Sequence, residues 1–361
     1  MPRDTLIPML MGTPADARYE RDETHDMSLN RREFGGLIGL AAAAGGLSQV
    51  QIPQRVDAAH IRYFHASVEK LYAKDQCMGG GALTRDGLRL YYRARRMLNE
   101  ADYNEATARE LMAAAGEIAV CVGWLCYDAD DQDTSRSLYS DALLLADQAG
   151  NDELAIRAME KLSLQLVQLA QRMNHAGYAR QAVQVTRRAA ELARKEPSPK
   201  MHALLAAREA LAYPATGDAS RFRQAISRAW QEIEKEHAHP VPSWLRFVNH
   251  SEITIHEARG RWYLGDPSGA AALYRTSLEA DLPLRNGSNY QAALAAALAA
   301  SGDVSSAISE AMVVLPTLQK GGISSRRTIR RLDLVRRAAA NRTTGAEFRE
   351  RYDEIGGIDR K

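Results

Sequence analysis

From about Asp57 onward, apolar residues recur three and four positions apart almost without a break, and no run alternates as a half-buried strand requires. A chain with this single period builds helices, which must hide their apolar stripes against one another. Leu154, Ala158, Leu162, Leu166, Leu169 and Met173 step by four, four, four, three and four, so all six fall on one stripe of a long helix. Ala182, Val185, Ala189 and Leu192 continue the pattern after Asn174-His175-Ala176-Gly177, where Gly177 is expected to take the left-handed conformation that ends a helix. The two segments read as one antiparallel hairpin.

The hairpin recurs. Small residues mark the second helices at Ser135, Ala182, Ala270 and Ala307, with Phe222 as the exception. Five residues before each mark sits a turn residue (Asp130, Gly177, Gly217, Gly265, Gly302), and twelve before it the first helix carries Gly123, Ala170, Ala210, Ala258 or Ala295. Helices approach closely only where neither has a bulky side chain, so these small residues are expected to face each other across each hairpin. Four residues after the mark come Tyr139, Thr186, Ile226, Tyr274 and Ala311, and three later Ala142, Ala189, Ala229, Ser277 and Val314.

This pattern is similar to tetratricopeptide repeats, with marks 47, 40, 48 and 37 residues apart against about 34 in the standard repeat. Gly123-Trp124-Leu125-Cys126-Tyr127-Asp128, Gly79-Gly80-Gly81-Ala82-Leu83 and Arg31-Arg32-Glu33-Phe34 look like the sensor half of actinobacterial helix-turn-helix regulators, over roughly residues 28 to 355. The resemblance implies an all-α, tetratricopeptide-like superhelical array that senses a partner or dimerises. Those regulators carry a DNA-binding domain ahead of the Arg-Arg-x-Phe segment; only a short leader precedes Arg31 here, so direct operator binding does not carry over.

Three divisions follow. Residues 1–27, with Pro2, Pro8, Pro14 and scattered charge, read as a flexible leader. Residues 28–56 hold Asn30-Arg31-Arg32-Glu33-Phe34 before Gly35 to Ala44, laid out either as a linker helix or as a twin-arginine export signal cleaved near Ala44. Residues 57–356 form the repeat domain. Lys and Arg total 47 against 45 Asp and Glu, so no global field favours nucleic acid or anionic membrane. No run of 18 apolar residues suggests a membrane span. Three cysteines, Cys77, Cys121 and Cys126, are an odd number; the last two sit in an apolar stretch, which favours a reducing compartment and a cytoplasmic protein.

In a tetratricopeptide array the first helices line a concave groove. Residues one and four positions after each small mark, or six before it, then point inward: Glu117, Trp124, Tyr127, Gln171, Asn174, Glu252, Arg259, Trp262 and Asn289. Carboxamides and aromatics suit an extended or helical peptide, and Arg259 suits a carboxylate; alternatively Trp124 and Trp262 are core. Arg326, Arg327, Arg330 and Arg331, with Arg336, Arg337 and Arg342, crowd one C-terminal helix. It reads either as a contact for an acidic partner or phosphates, or as a capping helix with one solvated basic face. His237-Ala238-His239 reads as a surface turn rather than a metal site, and Asp128, Asp130, Asp131 and Asp133 lack the glycine and final glutamate of a calcium loop. Gly79-Gly80-Gly81 lacks the Gly-Lys-Ser/Thr of a phosphate loop and reads as a helix break.

No nucleophile, base and orienting group fall at a recognisable spacing, so no enzyme, cofactor or metal is expected. The leading expectation is a cytoplasmic, non-enzymatic regulatory module of about five hairpins preceded by one further pair, binding a peptide or protein in signalling or transcriptional control, with a homodimer also open. Alternatives are an exported extracytoplasmic scaffold and a nucleic-acid-contacting regulator using the Arg326 to Arg342 helix.

Overall fold

In a computed structural model, which describes residues 52–196, 198–236, 240–319, 322–340 and 342–358, the chain is all-helical, and no strand occurs among the described residues. Fourteen α-helices follow in order: α1 Ala58–Met78, α2 Gly80–Glu100, α3 Glu105–Asp128, α4 Gln132–Ala149, α5 Asp152–Met173, α6 Ala176–Leu192, α7 Pro199–Ala212, α8 Ala219–Ile233, α9 His250–Tyr263, α10 Pro267–Ser277, α11 Leu284–Ala300, α12 Val304–Leu318, α13 Arg326–Ala338 and α14 Ala346–Ile358. The export-or-linker segment and His237 to His239 lie outside the described residues.

Local chemistry sets the helix ends. Asn104, Asp131, Asn151, Asp218, Asn249, Asp266, Asp303 and Ser325 each accept a backbone N–H of the first turn that would otherwise lack a partner. Asp130, Gly217, Gly265 and Gly302 have positive φ and make the expected turns inside their pairs. In the second hairpin the expectation is corrected. The left-handed residue is Asn174 (φ 47°), and Gly177 lies inside α6. An asparagine tolerates that conformation. Gly177 is needed for space instead, since a Cβ there would come within 2.5 Å of the His175 ring.

Helices α3/α4, α5/α6, α7/α8, α9/α10 and α11/α12 pack as pairs, preceded by α1/α2. The matched small residues meet as the spacing predicts: Ser135 Oγ donates to the Gly123 carbonyl at 2.8 Å, and every mark, Phe222 included, is buried. Phe222 is accommodated by Gly260 in the next pair, where a Cβ would sit 2.0 Å from its ring.

Past α12 the chain returns to its beginning. Helix α11 packs on α1, and α13 packs on both α11 and α3. The Ser324 amide donates to the Met78 carbonyl at 2.8 Å, and the Gly81 amide donates to the Ser324 carbonyl at 2.9 Å. The Gly79-Gly80-Gly81 run breaks the helix at Gly79 (φ 74°) and does more: a Cβ on Gly80 would lie 2.5 Å from the Leu125 carbonyl oxygen, and one on Gly81 2.4 Å from Ser324 Oγ. The three glycines are where α1, α2, the end of α3 and the Ser324 segment converge.

Helix α3 is long and apolar enough to cross a membrane by length and composition, more so than a count of unbroken apolar residues suggests. It is the core of this fold, enclosed by α1, α2, α4, α5 and α13. Cys121 and Cys126 are buried in it, and burial pushes the Cys126 thiol up to about 12; Cys77 is exposed. The register of the pairs is testable at Ala258, which has no exposed surface. Ala258→Leu should overpack the α9/α10 crossing and cost about 1 to 3 kcal/mol, read as a lower urea midpoint with an unchanged slope; an unaltered midpoint would place the crossing elsewhere.

Candidate functional site

The first helix of each pair faces inward, and together α1, α3, α5, α7, α9 and α11, with α13, surround a central cavity of about 1010 Å³. Its exposed edge runs along Glu69 and Gln76 of α1, Ser243, Arg246 and Phe247 between α8 and α9, and Asp281 and Pro283 between α10 and α11. The walls carry charge at a density unusual for an interior, and most of it is paired.

Asp128, at the end of α3, is fully buried and accepts from the Gly80 amide (3.0 Å), Ser325 Oγ (2.9 Å) and the Arg327 guanidinium (Nε 3.0 Å, Nη2 2.9 Å). Burial alone would raise its pKa; Arg327 and Arg285 outweigh that and hold the carboxyl below its usual range. One turn away, Trp124 donates its indole N–H to Asp75 at 2.9 Å while Lys161, Arg285 and Arg327 lie over its ring, 4.9 to 5.1 Å from the centroid. Arg285 reaches Asp75 at 3.2 Å, and burial raises the Asp75 pKa despite that partner.

A second node lies across the cavity. Glu160 is buried between Arg208 (3.0 Å) and Lys161 (2.8 Å). Arg208 also contacts Glu252 at 3.6 Å and donates to Nε2 of His256, whose Nδ1–H donates to the Glu252 carbonyl at 2.6 Å. Burial, then the Arg208 charge, pushes His256 down to about 4, so the ring is neutral. At the α1 side, Glu117 takes His65 at 2.9 Å and Arg157 at 3.2 Å.

Of the residues expected in the groove, Glu117, Trp124, Glu252, Arg259 and Asn289 line this one cavity. Tyr127 is buried in the core beside Arg327. Trp262 packs half-buried on the C-terminal cluster, and Asn174 is the exposed end of α5, with Gln171 on its last turn; none of these four lines the cavity. In α5 the inward positions are Glu153, Arg157, Glu160, Lys161 and Leu164, six to seventeen residues ahead of the small mark Ala170.

The arginine helix keeps Arg326, Arg330 and Arg337 exposed along one face and turns other arginines inward or into ion pairs. Arg327 is buried on Asp128, Arg330 reaches Asp130 at 2.5 Å, Arg331 lines the cavity and Arg336 pairs with Asp353 at 2.7 Å. Helix α13 is not a terminal cap: Leu332 and Val335 are buried between α11 and neighbouring helices, because Asp128 and Asp130 draw its first turn inward. Among the described residues no three His, Cys, Asp or Glu side chains gather as a metal set; Asp131 caps α4 and Asp130 binds Arg172 and Arg330.

No protein-family model matches the chain, and no curated protein matches its sequence.

Two measurements probe these nodes. Asp128→Asn leaves Arg327 as a buried charge with no carboxylate, which should cost about 3 to 5 kcal/mol in urea unfolding; a loss below 1 kcal/mol would show that the closure does not depend on this pair. The unfolded chain binds a proton at His256 below about 6.5, whereas the folded chain does so only near 4. Stability from this group is therefore present above pH 6.5 and falls as pH drops through that window, by up to about 3 kcal/mol. His256→Gln should flatten the slope of unfolding free energy between pH 6.5 and 4.5, and an identical slope would exclude His256 as its source.

Proposed function

We propose that this chain is a non-enzymatic, tetratricopeptide-like regulatory module of the cytosol that holds a peptide or protein partner in signalling or transcriptional control, and that the central cavity is its recognition surface. The observation that carries the reading is the convergence of Glu117 and Trp124 of α3, Glu252 and Arg259 of α9 and Asn289 of α11, the first helices of three pairs, on one cavity. Helix pairs stacked with their first helices inward let one ligand touch several repeats at once. The cavity is of the size that takes a ligand or a short chain segment, and its edge joins α1 to two separate connections, so a segment entering there meets groups from several pairs.

Recognition would be non-covalent. Asn289 is buried with its carboxamide on the wall and can bond to a peptide backbone, while Trp124 supplies rigid area already fixed by Asp75 and three cations. The buried thiols of Cys121 and Cys126 fit a reducing compartment.

The test is capture of a partner from cell extract by the intact protein, identified by mass spectrometry and then titrated with variants. Asn289→Ala should weaken binding of that partner by about 1 to 3 kcal/mol, whereas Asn174→Ala, on the exposed end of α5, should leave it unchanged. A partner held equally by both variants would put the interface on the outer face and end the cavity reading.

A further inference from the structure

The cations of the cavity wall are met one by one: Arg157 by Glu117, Lys161 and Arg208 by Glu160, Arg285 by Asp75 and Arg327 by Asp128. Arg246 is exposed and hydrated. Arg259 and Arg331 remain. Arg259 is only 7% exposed, and its Nε donates to the Tyr263 hydroxyl at 2.8 Å; Arg331 gives its Nε to Asn289 Oδ1 at 3.0 Å. Among the described residues neither guanidinium reaches a carboxylate, and their polar company is phenols and a carboxamide, all neutral at pH 7. Burial, then the charges of Arg259 and Arg327, lowers the pKa of Arg331, while the neighbouring phenols raise that of Arg259 despite its burial. Tyr274 lines the cavity with them; it is 1% exposed, and its hydroxyl lies against Arg331.

A guanidinium taken out of water without counter-charge is costly, and Arg259 is buried while Arg331 beside it is partly buried. Around this cavity the other buried cations, Arg157, Lys161, Arg208, Arg285 and Arg327, each meet a carboxylate, and this pair does not. Both arginines line the cavity with only their Nε committed to Tyr263 and Asn289, and a guanidinium is a forked donor matched to oxyanion geometry.

We infer that Arg259, Arg331 and the Tyr274 hydroxyl form a binding site for an oxyanion group, carboxylate or phosphate, at the inner end of the central cavity. The inference rests on the cavity being the recognition surface and names the chemistry it recognises: the ligand presents an anionic head inward, with Arg331 held in place by Asn289.

Thermal unfolding of the full chain with inorganic phosphate and, separately, with succinate tests it. One or both should raise the midpoint in a saturable way, and the arm that does so separates tetrahedral from planar oxyanions. Arg331→Gln should raise the midpoint of the ligand-free protein by relieving repulsion, and should weaken the responding anion at least tenfold. Arg259→Lys, which keeps the charge and loses the fork, should also weaken it. Arg330→Gln, on the same helix but bonded to Asp130, should leave anion affinity unaltered. Two results overturn the proposal: neither anion stabilises the wild-type protein, or Arg331→Gln destabilises the ligand-free fold and keeps wild-type anion affinity, as a purely structural arginine would. Loss of the anion response with an intact Asn289-dependent partner would reject this site alone and leave the cavity reading standing.

Discussion

One buried carboxylate decides the form of the molecule. Asp128 gives up its hydration entirely, and that cost is offset only because a backbone amide from the start of α2, a hydroxyl from the cap of α13 and a guanidinium from its first turn all converge on it. Those donors come from opposite ends of the array. A stack of helix pairs with free ends would leave an open groove, as in a solenoid. Joining the α1/α2 break to the Ser324 segment brings α13 into the wall, so the inward faces line one cavity that stays open along its edge. The glycines make the join sterically feasible and Asp128 makes it energetically favourable; any side chain at Gly80 or Gly81 would strike backbone or the Ser324 hydroxyl.

Closure also explains the charge inside. Once α13 is drawn against α3, its arginines can no longer all face water, and the wall must answer them with carboxylates or leave them unanswered. Around Glu160 the account is close to neutral: two cations share one glutamate, Glu252 contributes a second carboxylate, and His256 sheds its proton rather than add a third positive charge. Near α13, four guanidiniums (Arg259, Arg285, Arg327 and Arg331) face Asp75 and Asp128. The cavity is therefore polarised, with its unbalanced positive end where the two chain ends meet.

Much of this was legible before any coordinates, and the boundary has physical causes. Helix pairing is a local matter, so the steps of three and four, the Asx caps and the small residues twelve apart located the pairs, and Ser135 meets Gly123 where the spacing put it. Phe222 looked like an exception because its glycine, Gly260, lies in the following pair. The ring closure was not readable: Asp128 and Arg327 are far apart in sequence, and an aspartate after an apolar helix is equally good as a capping residue. The arginine helix misled for the same reason, since periodicity reports which face is apolar but not whether carboxylates wait opposite the other face. The inward positions on α3 and α9 were found, and those on α5 were missed because its wall faces the cavity well before its crossing point.

The unequal spacing of the repeats has a structural use. The longest interval, 48 residues between Phe222 and Ala270, contains the connection from α8 to α9. The second half of that connection, Val241 to Val248, packs in part on the helices. Leu245 is fully buried in a short 3₁₀ turn, Ser243–Leu245, and fixes the loop against the array. Trp244 donates to Glu153 at 2.6 Å beneath the Arg157 guanidinium, and the Phe247 ring lies 5.0 Å from Lys161. The extra residues thus supply aromatic faces to cations whose carboxylates are already committed, at the edge of the cavity. The length between α8 and α9 and the polar interior are therefore linked, because that connection completes at the edge the wall that the Asp128–Arg327 pair begins.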